Sequence, residues 1–202
     1  MEEYKIKTIA SYNKHSAYHA KRFSDLTDLL RRNEFKYFIS LLPGKNILDL
    51  GCGSGDHSLL FKQQGLEVSA IDISQEMVRL TREKDIEAEI MDIEQLTFAP
   101  ESFDGIWAVT SLLHIPKAAL PGVIKNLHKI LKHGGILYVC VKEGEGEKMV
   151  VDNADGTTER FFSFWQVEEL RALFFPLFNS VAFNEERVVL NGRTFLQLFF
   201  RK

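Results

Sequence analysis

Cysteine is scarce in this chain: Cys52 and Cys140 are the only two in 202 residues. They are too few and too badly spaced for a zinc site, and a reducing compartment would leave both as free thiols, so neither a metal nor a disulfide is expected. Long apolar runs are missing as well. No stretch of about 18 apolar residues is present to span a bilayer, and Met1-Glu2-Glu3-Tyr4-Lys5 lacks the basic-then-apolar layout of a secretory leader. The expectation is a soluble, cytoplasmic protein with no membrane partner. A strong excess of one charge is also lacking, since the formal net charge is -3. That figure hides a mildly basic front: residues 1–45 carry 9 Lys/Arg against 5 Asp/Glu, and residues 46–202 carry 16 against 23. The pairs Lys21-Arg22 and Arg31-Arg32 read either as part of a nucleic-acid face or as solvated helix surface. There is no internal repeat and no low-complexity tract.

With 45% hydrophobic content, a chain of this length can bury one sizeable core, whereas two domains would each be small. From residue 46 onward, short apolar runs alternate with amphipathic stretches, the pattern of strands interleaved with helices. The class is α/β. Strands are predicted at Asn46 to Leu50, Glu67 to Ile71, Ala88 to Met91, Gly105 to Val109 and Ile136 to Lys142, with helices near 56–64, 74–84 and 117–132. Ser74 is an N-cap for the second helix, and Gly134-Gly135 is placed to end the third. Before Pro43-Gly44 lie two helical stretches, 5–20 and 24–41, read as a cap on the sheet. Glu143 to Thr158 is rich in glycine and acid and shows no apolar period. A helix from Gln166 to Phe174 follows, then strands near 178–184 and 194–201 in an antiparallel hairpin, with Asn191-Gly192 as a tight-turn signal.

The most informative segment is Ile47-Leu48-Asp49-Leu50-Gly51-Cys52-Gly53-Ser54-Gly55-Asp56, an apolar strand running into a glycine-rich turn at the head of a helix. Glycines there let a ligand approach the backbone. A dinucleotide fingerprint would need glycine at position 56, where Asp56 stands, and no Gly-Lys-Ser/Thr follows to make a P-loop. Asp49 and Asp56 would repel a pyrophosphate at the helix N-terminus. The expected ligand lacks phosphates and carries positive charge, and S-adenosylmethionine, with its ammonium and sulfonium, meets both conditions. Val68-Ser69-Ala70-Ile71-Asp72 places a carboxylate beside the loop at the end of the second strand, suited to both ribose hydroxyls. Asp92 ends the third strand and is placed to accept from an adenine amino group, with Ile73 and Ile93 as apolar walls.

On these residues the chain resembles the class I S-adenosylmethionine-dependent methyltransferase family, of the small single-domain, type 11/25-like kind. The likeness runs from about Tyr12 to Lys142 and is expected to continue to the C-terminus. The resemblance implies a Rossmann-like, mostly parallel seven-stranded sheet with helices on both faces and an antiparallel C-terminal hairpin. It makes Asp49, Gly51, Gly53 and Gly55 the first motif, Asp72 the ribose carboxylate and Asp92-Ile93 the adenine pair; Cys52, Ile73, Met77, Ala108 and Val109 complete the cofactor-contacting set. Phe103 to Val109 followed by Leu112-Leu113-His114 is similar to the fourth-strand motif, and Leu131-Lys132-His133-Gly134-Gly135 to the helix end before strand five. Tyr12 and Tyr18 resemble the N-terminal tyrosines that close over the methionine end, or are plain helix aromatics.

Methyl transfer from a sulfonium is an in-line displacement in which positioning carries most of the catalysis. His114 follows the fourth strand and, with an ordinary pKa near 6.5, is either a general base or a packing residue. The Phe161-Phe162-Ser163-Phe164-Trp165 cluster lines an acceptor pocket or anchors the following helix. Val109-Thr110-Ser111 departs from the Asn-Pro-Pro-aromatic sequence of amino-group nucleic-acid methyltransferases, and no Pro-Cys nucleophile is present. The layout expected is one methyltransferase domain over residues 1–202: a helical cap at 1–42, a cofactor-binding core at 46–142, and an acceptor-side loop, helix and hairpin at 143–202. A small-molecule acceptor leads, because the chain is little longer than such a catalytic domain. The alternatives are an RNA methyltransferase using the basic front and a non-catalytic cofactor-binding module.

Overall fold

The computed structural model describes residues 1–22, 33–184, 186–190 and 192–202. Its centre is a sheet in the order β3-β2-β1-β4-β5-β10-β8, with β9 paired to β10 off that path. The parallel part comprises β1 (Asn46–Leu50), β2 (Glu67–Asp72), β3 (Glu87–Ile90), β4 (Phe103–Val109) and β5 (Leu131–Lys142). β10 (Arg193–Arg201) runs antiparallel to β5, to β8 (Asn179–Val181) and to β9 (Arg187–Leu190). Because β1 is flanked by β2 on one side and β4 on the other, the chain reverses its winding direction there, and open α/β sheets bind ligands at such a crevice.

Parallel strands covered on both faces read as near-continuous apolar runs, and alternate residues serve opposite layers. On β4 and β5, Ile106, Ala108, Leu137 and Val139 pack in one core. Trp107, Ile136 and Tyr138 pack in the other, where the Trp107 and Tyr138 rings stack at 4.2 Å. The first layer is covered by α5 (Leu120–Ile130) and α6 (Val167–Phe174), the second by α2 (Glu34–Leu41) and α3 (Asp56–Gln63). α4 (Gln75–Arg82) flanks β2 and β3 through Val78. Its Ser74 cap accepts from the Met77 amide at 3.2 Å, as its position before the helix predicted.

Four expectations change. The N-terminal helix α1 (Glu3–Lys14) breaks at His15, with helical turns resuming over 16–22, and the second expected stretch is α2 from Glu34; its earlier part, with Arg31-Arg32, lies outside the described residues. α5 stops at Ile130, and Gly134 (φ +76°) and Gly135 sit inside β5, because buried Leu131 already pairs with Phe103 of β4. The Gly- and acid-rich segment is not featureless: β6 (Glu147–Val151) pairs antiparallel with β7 (Glu159–Ser163). The terminal hairpin is formed by β9 and β10 around Gly192 (φ +71°), with Asn191 outside the described residues, and β8 is a separate, shorter strand. Cys52 and Cys140 are buried free thiols. Among the described residues no helix is long and apolar enough to cross a membrane.

Candidate functional site

At the carboxyl ends of β1, β2 and β4 lies a cleft of about 1190 Å³, counting the open solvent at its mouth. The glycine loop forms its floor. Gly51, Gly53 and Gly55 all hold positive φ (+76°, +56° and +77°), a region that side chains with a Cβ adopt at a cost. At Gly51 a Cβ would collide with the Ser111 side chain, so the loop and the segment after β4 close to backbone distance only because glycine is there.

Asp72, at the end of β2, accepts from the Gly53 amide and from the Ser74 amide, each at 2.9 Å, one on each carboxylate oxygen. Burial raises its pKa and those amides oppose the rise. Each oxygen retains acceptor capacity. Asp49 is buried behind the loop, and its carboxylate takes the Ser58 hydroxyl at 2.6 Å. Burial pushes it up to about 7, against the pull of the Ser58 bond and with a further push from Asp72. Asp56 pairs with Lys84 at 2.7 Å, so the unpaired acidity of the cleft resides in Asp49 and Asp72.

A second group of side chains closes the cleft from the α1 side. Lys5 reaches Asp92 at 2.6 Å and Glu94 at 2.7 Å, Tyr4 donates to Glu94, and Asn13 accepts from the Ser74 hydroxyl. α1 is thereby tied across both acidic strand ends. Asp92 already carries the Lys5 ammonium on one oxygen and the Glu94 amide on the other, so any adenine amino group would share it with them.

His114 sits in the 3-10 turn Leu112–His114, with Nδ1 2.6 Å from the Phe161 carbonyl and Nε2 2.7 Å from the Tyr12 hydroxyl. A carbonyl only accepts, so Nδ1 carries the proton and Nε2 accepts from Tyr12. Tyr12 in turn accepts from Arg160 at 2.9 Å, and Arg160 pairs with buried Asp152 at 2.9 Å. Burial, and next the Arg160 charge, lower the His114 pKa to about 3. His114 is thus far from the ordinary value near 6.5, and the imidazole is neutral across the physiological range.

The residues brought together on the cleft are Tyr12, Asp49, Gly51, Cys52, Gly53, Asp72, Ile73, Met77, Asp92, Ile93, Val109 and His114. Three are not. Tyr18 is 41% exposed and packs edge-on against His19, because the break at His15 turns the chain away from the cleft. Ala108 faces the apolar core, as strand alternation with Val109 requires. Gly55 caps α3, where a Cβ would meet Thr81. Sequence reasoning missed Lys5, Thr8, Ser111 and Phe195 on the walls. Only a fold that carries α1 and β10 to the strand ends reveals them.

The glycine loop and the acidic strand ends place the cleft where open, Rossmann-like α/β sheets bind ligands. Residues 47–135 match the family model described as a methyltransferase domain. The chain is 31% identical over 163 residues to the 2-methyl-6-phytyl-1,4-hydroquinone methyltransferase of Synechocystis, a match covering 76% of this chain and 48% of that protein. It thus spans about half the length of this curated relative. Among solved structures, the DhpI–SAH complex superposes with a TM-score of 0.77 at 17% identity, covering 98% of this chain and 96% of the other. The Burkholderia thailandensis 1,6-didemethyltoxoflavin-N1-methyltransferase, with bound 1,6-didemethyltoxoflavin and S-adenosylhomocysteine (SAH), superposes with a TM-score of 0.73 at 22% identity, covering 96% and 87%. The chain thus carries a segment similar to a methyltransferase domain within the fold shared with S-adenosylmethionine-dependent methyltransferases.

Proposed function

We propose that the chain binds S-adenosylmethionine in this cleft and transfers its methyl group to a small-molecule acceptor. The observation that carries the reading is the Asp72 carboxylate, pinned by the Gly53 and Ser74 amides beside a glycine loop whose remaining acidity, Asp49, suits a cationic ligand. The residues fit such a group in one further way: the buried Ser111 hydroxyl on the wall has no hydrogen-bond partner among the described residues.

When bound, the cofactor would supply an electrophilic sulfonium methyl, open to attack at carbon by an acceptor's lone pair as the carbon–sulfur bond breaks, which leaves a thioether and a methylated acceptor that gives up any proton it carried. Asp72 would hold the ribose hydroxyls and Asp49 the ammonium, while Ile73, Met77 and Ile93 would wall the base. Cys52, Val109 and Tyr12 would line the methionine arm. Tyr12, held by His114 and Arg160, would face the acceptor and fix its reacting atom; Gly55 and Ala108 act from the loop and core behind. In our reading residues 1–42 and 143–202 flank the acceptor side of one domain. The two similar methyltransferases are named for a hydroquinone and for 1,6-didemethyltoxoflavin, so small cyclic acceptors head the list to assay. The test is a screen with methyl-labelled cofactor against phenols, amines, thiols, carboxylates and bulk tRNA. Label in a small acceptor supports the reading; label in tRNA alone overturns its acceptor class.

Because the Asp49 carboxyl titrates at about 7, affinity for the ammonium-bearing SAH should rise with pH and level off above 7. Below that, the dissociation constant should grow by up to about tenfold per pH unit, as required when only the ionised form binds. Calorimetry from pH 5.5 to 8.5 checks this, and a flat profile removes Asp49 from the ammonium site. Stability runs the other way. A raised carboxyl pKa contributes stability that is full below its unfolded value of about 4 and is lost as pH rises through 7.

The ties from Lys5, Tyr4 and Asn13 make α1 a lid, and the Phe161 amide of β7 donates to Thr8 of α1 at 3.0 Å, joining the β6–β7 hairpin to it. SAH should slow hydrogen exchange in α1 and β7 together, since lids close over bound ligands. Equal exchange with and without SAH would make both passive surface.

A further inference from the structure

Beside the cleft, where β5 ends, lies a second cavity bordered by Arg22, Lys142, Lys148, Arg160 and Arg193. Its one lining carboxylate among the described residues, Glu143, is already taken by Arg187 at 2.8 Å. Arg160 is matched by Asp152, but Lys142, Lys148, Arg22 and Arg193 make no ion pair with a described carboxylate. Lys142 lies 3.5 Å from the centroid of the Phe162 ring and Lys148 5.3 Å from that of Phe164, so two aromatic faces back the cations. Burial, then Arg193, Arg160 and Arg22, press the Lys142 pKa down to about 7. Gathering like charges around a concavity is unfavourable until an anion enters, and oxyanions are what Lys and Arg bind best.

The two cavities share a wall. Arg160 donates to Tyr12, and the Phe162 ring lies 4.8 Å from His114. On β10, Arg193 and Thr194 line this cavity while Phe195 lines the cleft. We infer that the second cavity holds the anionic end of the methyl acceptor: a carboxylate or phosphate on a flat apolar body, countered by Lys142, Arg22 and Arg193, with that body set against Phe164. The acceptor's nucleophile then points across the wall at Tyr12. This rests on the methyl-transfer reading only for the word acceptor. The anion site stands on its own geometry.

The probes are benzoate, phenyl phosphate and their neutral relative benzamide, titrated into SAH-saturated full-length protein at constant ionic strength and followed by melting temperature. Benzoate or phenyl phosphate should raise it saturably and benzamide should not; whichever of the two binds more tightly tells carboxylate from phosphate. Lys142→Met and the exposed Arg193→Gln should each weaken that binding by about tenfold or more, as loss of a charged hydrogen bond does, while leaving SAH affinity unchanged. Arg193→Gln keeps the test decisive if Lys142→Met does not fold. Benzamide matching benzoate, variants that bind the anions normally, or salt-sensitive tRNA binding lost in both variants would overturn the inference. If the wild type takes the anions but not SAH, the anion site stands and the cofactor reading falls.

Discussion

Asp72→Ala is expected to raise the dissociation constant for SAH by roughly 10–150-fold, the equivalent of about 1.5–3 kcal/mol for a charged hydrogen-bonding contact. The carboxylate does two things at once. It would meet the ribose, and it holds the Gly53 and Ser74 amides, which the alanine variant leaves without that acceptor. Asp72→Asn keeps one acceptor oxygen and should fall between the variant and the wild type. Calorimetry at pH 8, where Asp49 is ionised, gives the comparison. Wild-type affinity in Asp72→Ala would remove the ribose assignment.

For His114→Ala the expected loss is in turnover: about 10²-fold in kcat, the scale of misplacing a positioning group by about 1 Å. SAH affinity should stay nearly unchanged. The imidazole is neutral and both ring nitrogens are engaged, so His114 acts through Tyr12. Its loss removes the acceptor that orients the Tyr12 hydroxyl toward His114. Two readouts separate positioning from general base catalysis. The wild-type pH–rate profile should show no limb near 6.5 from His114, because deprotonation is complete above about 3. His114→Gln, which offers Tyr12 a replacement acceptor, should recover most of the lost rate. A limb near 6.5 that vanishes in His114→Ala would instead make the imidazole the base.

What could be read from the chain alone was local. The strand-to-loop sequence from Ile47 to Asp56, the Asp72 strand end and the Ser74 cap all depend on neighbours within a few positions, and each stands where its residue type predicted. The alternation that makes β4 and β5 central is equally local. What escaped was set by distant partners: Lys5 meets Asp92 across 87 positions, and Tyr12 meets His114 across 102. β6 escaped because its period is hidden: Met149 and Val150 are only half-buried, and the strand exists through its pairing with β7. The His114 pKa could not be read either, since burial and Arg160 set it, and Arg160 is 46 positions further along. The repulsion expected from Asp56 failed for the same reason: Lys84, from beyond α4, neutralises it.

The proposed function requires this cleft to bind an adenosyl ligand bearing an ammonium and carrying no phosphate. Its most direct measurement is a calorimetric titration of the wild-type protein at pH 8 with SAH and, in parallel, with NADH. One SAH per chain, with no heat from NADH and weaker SAH binding in Asp72→Ala, is the predicted result. NADH binding with SAH silent would contradict the account.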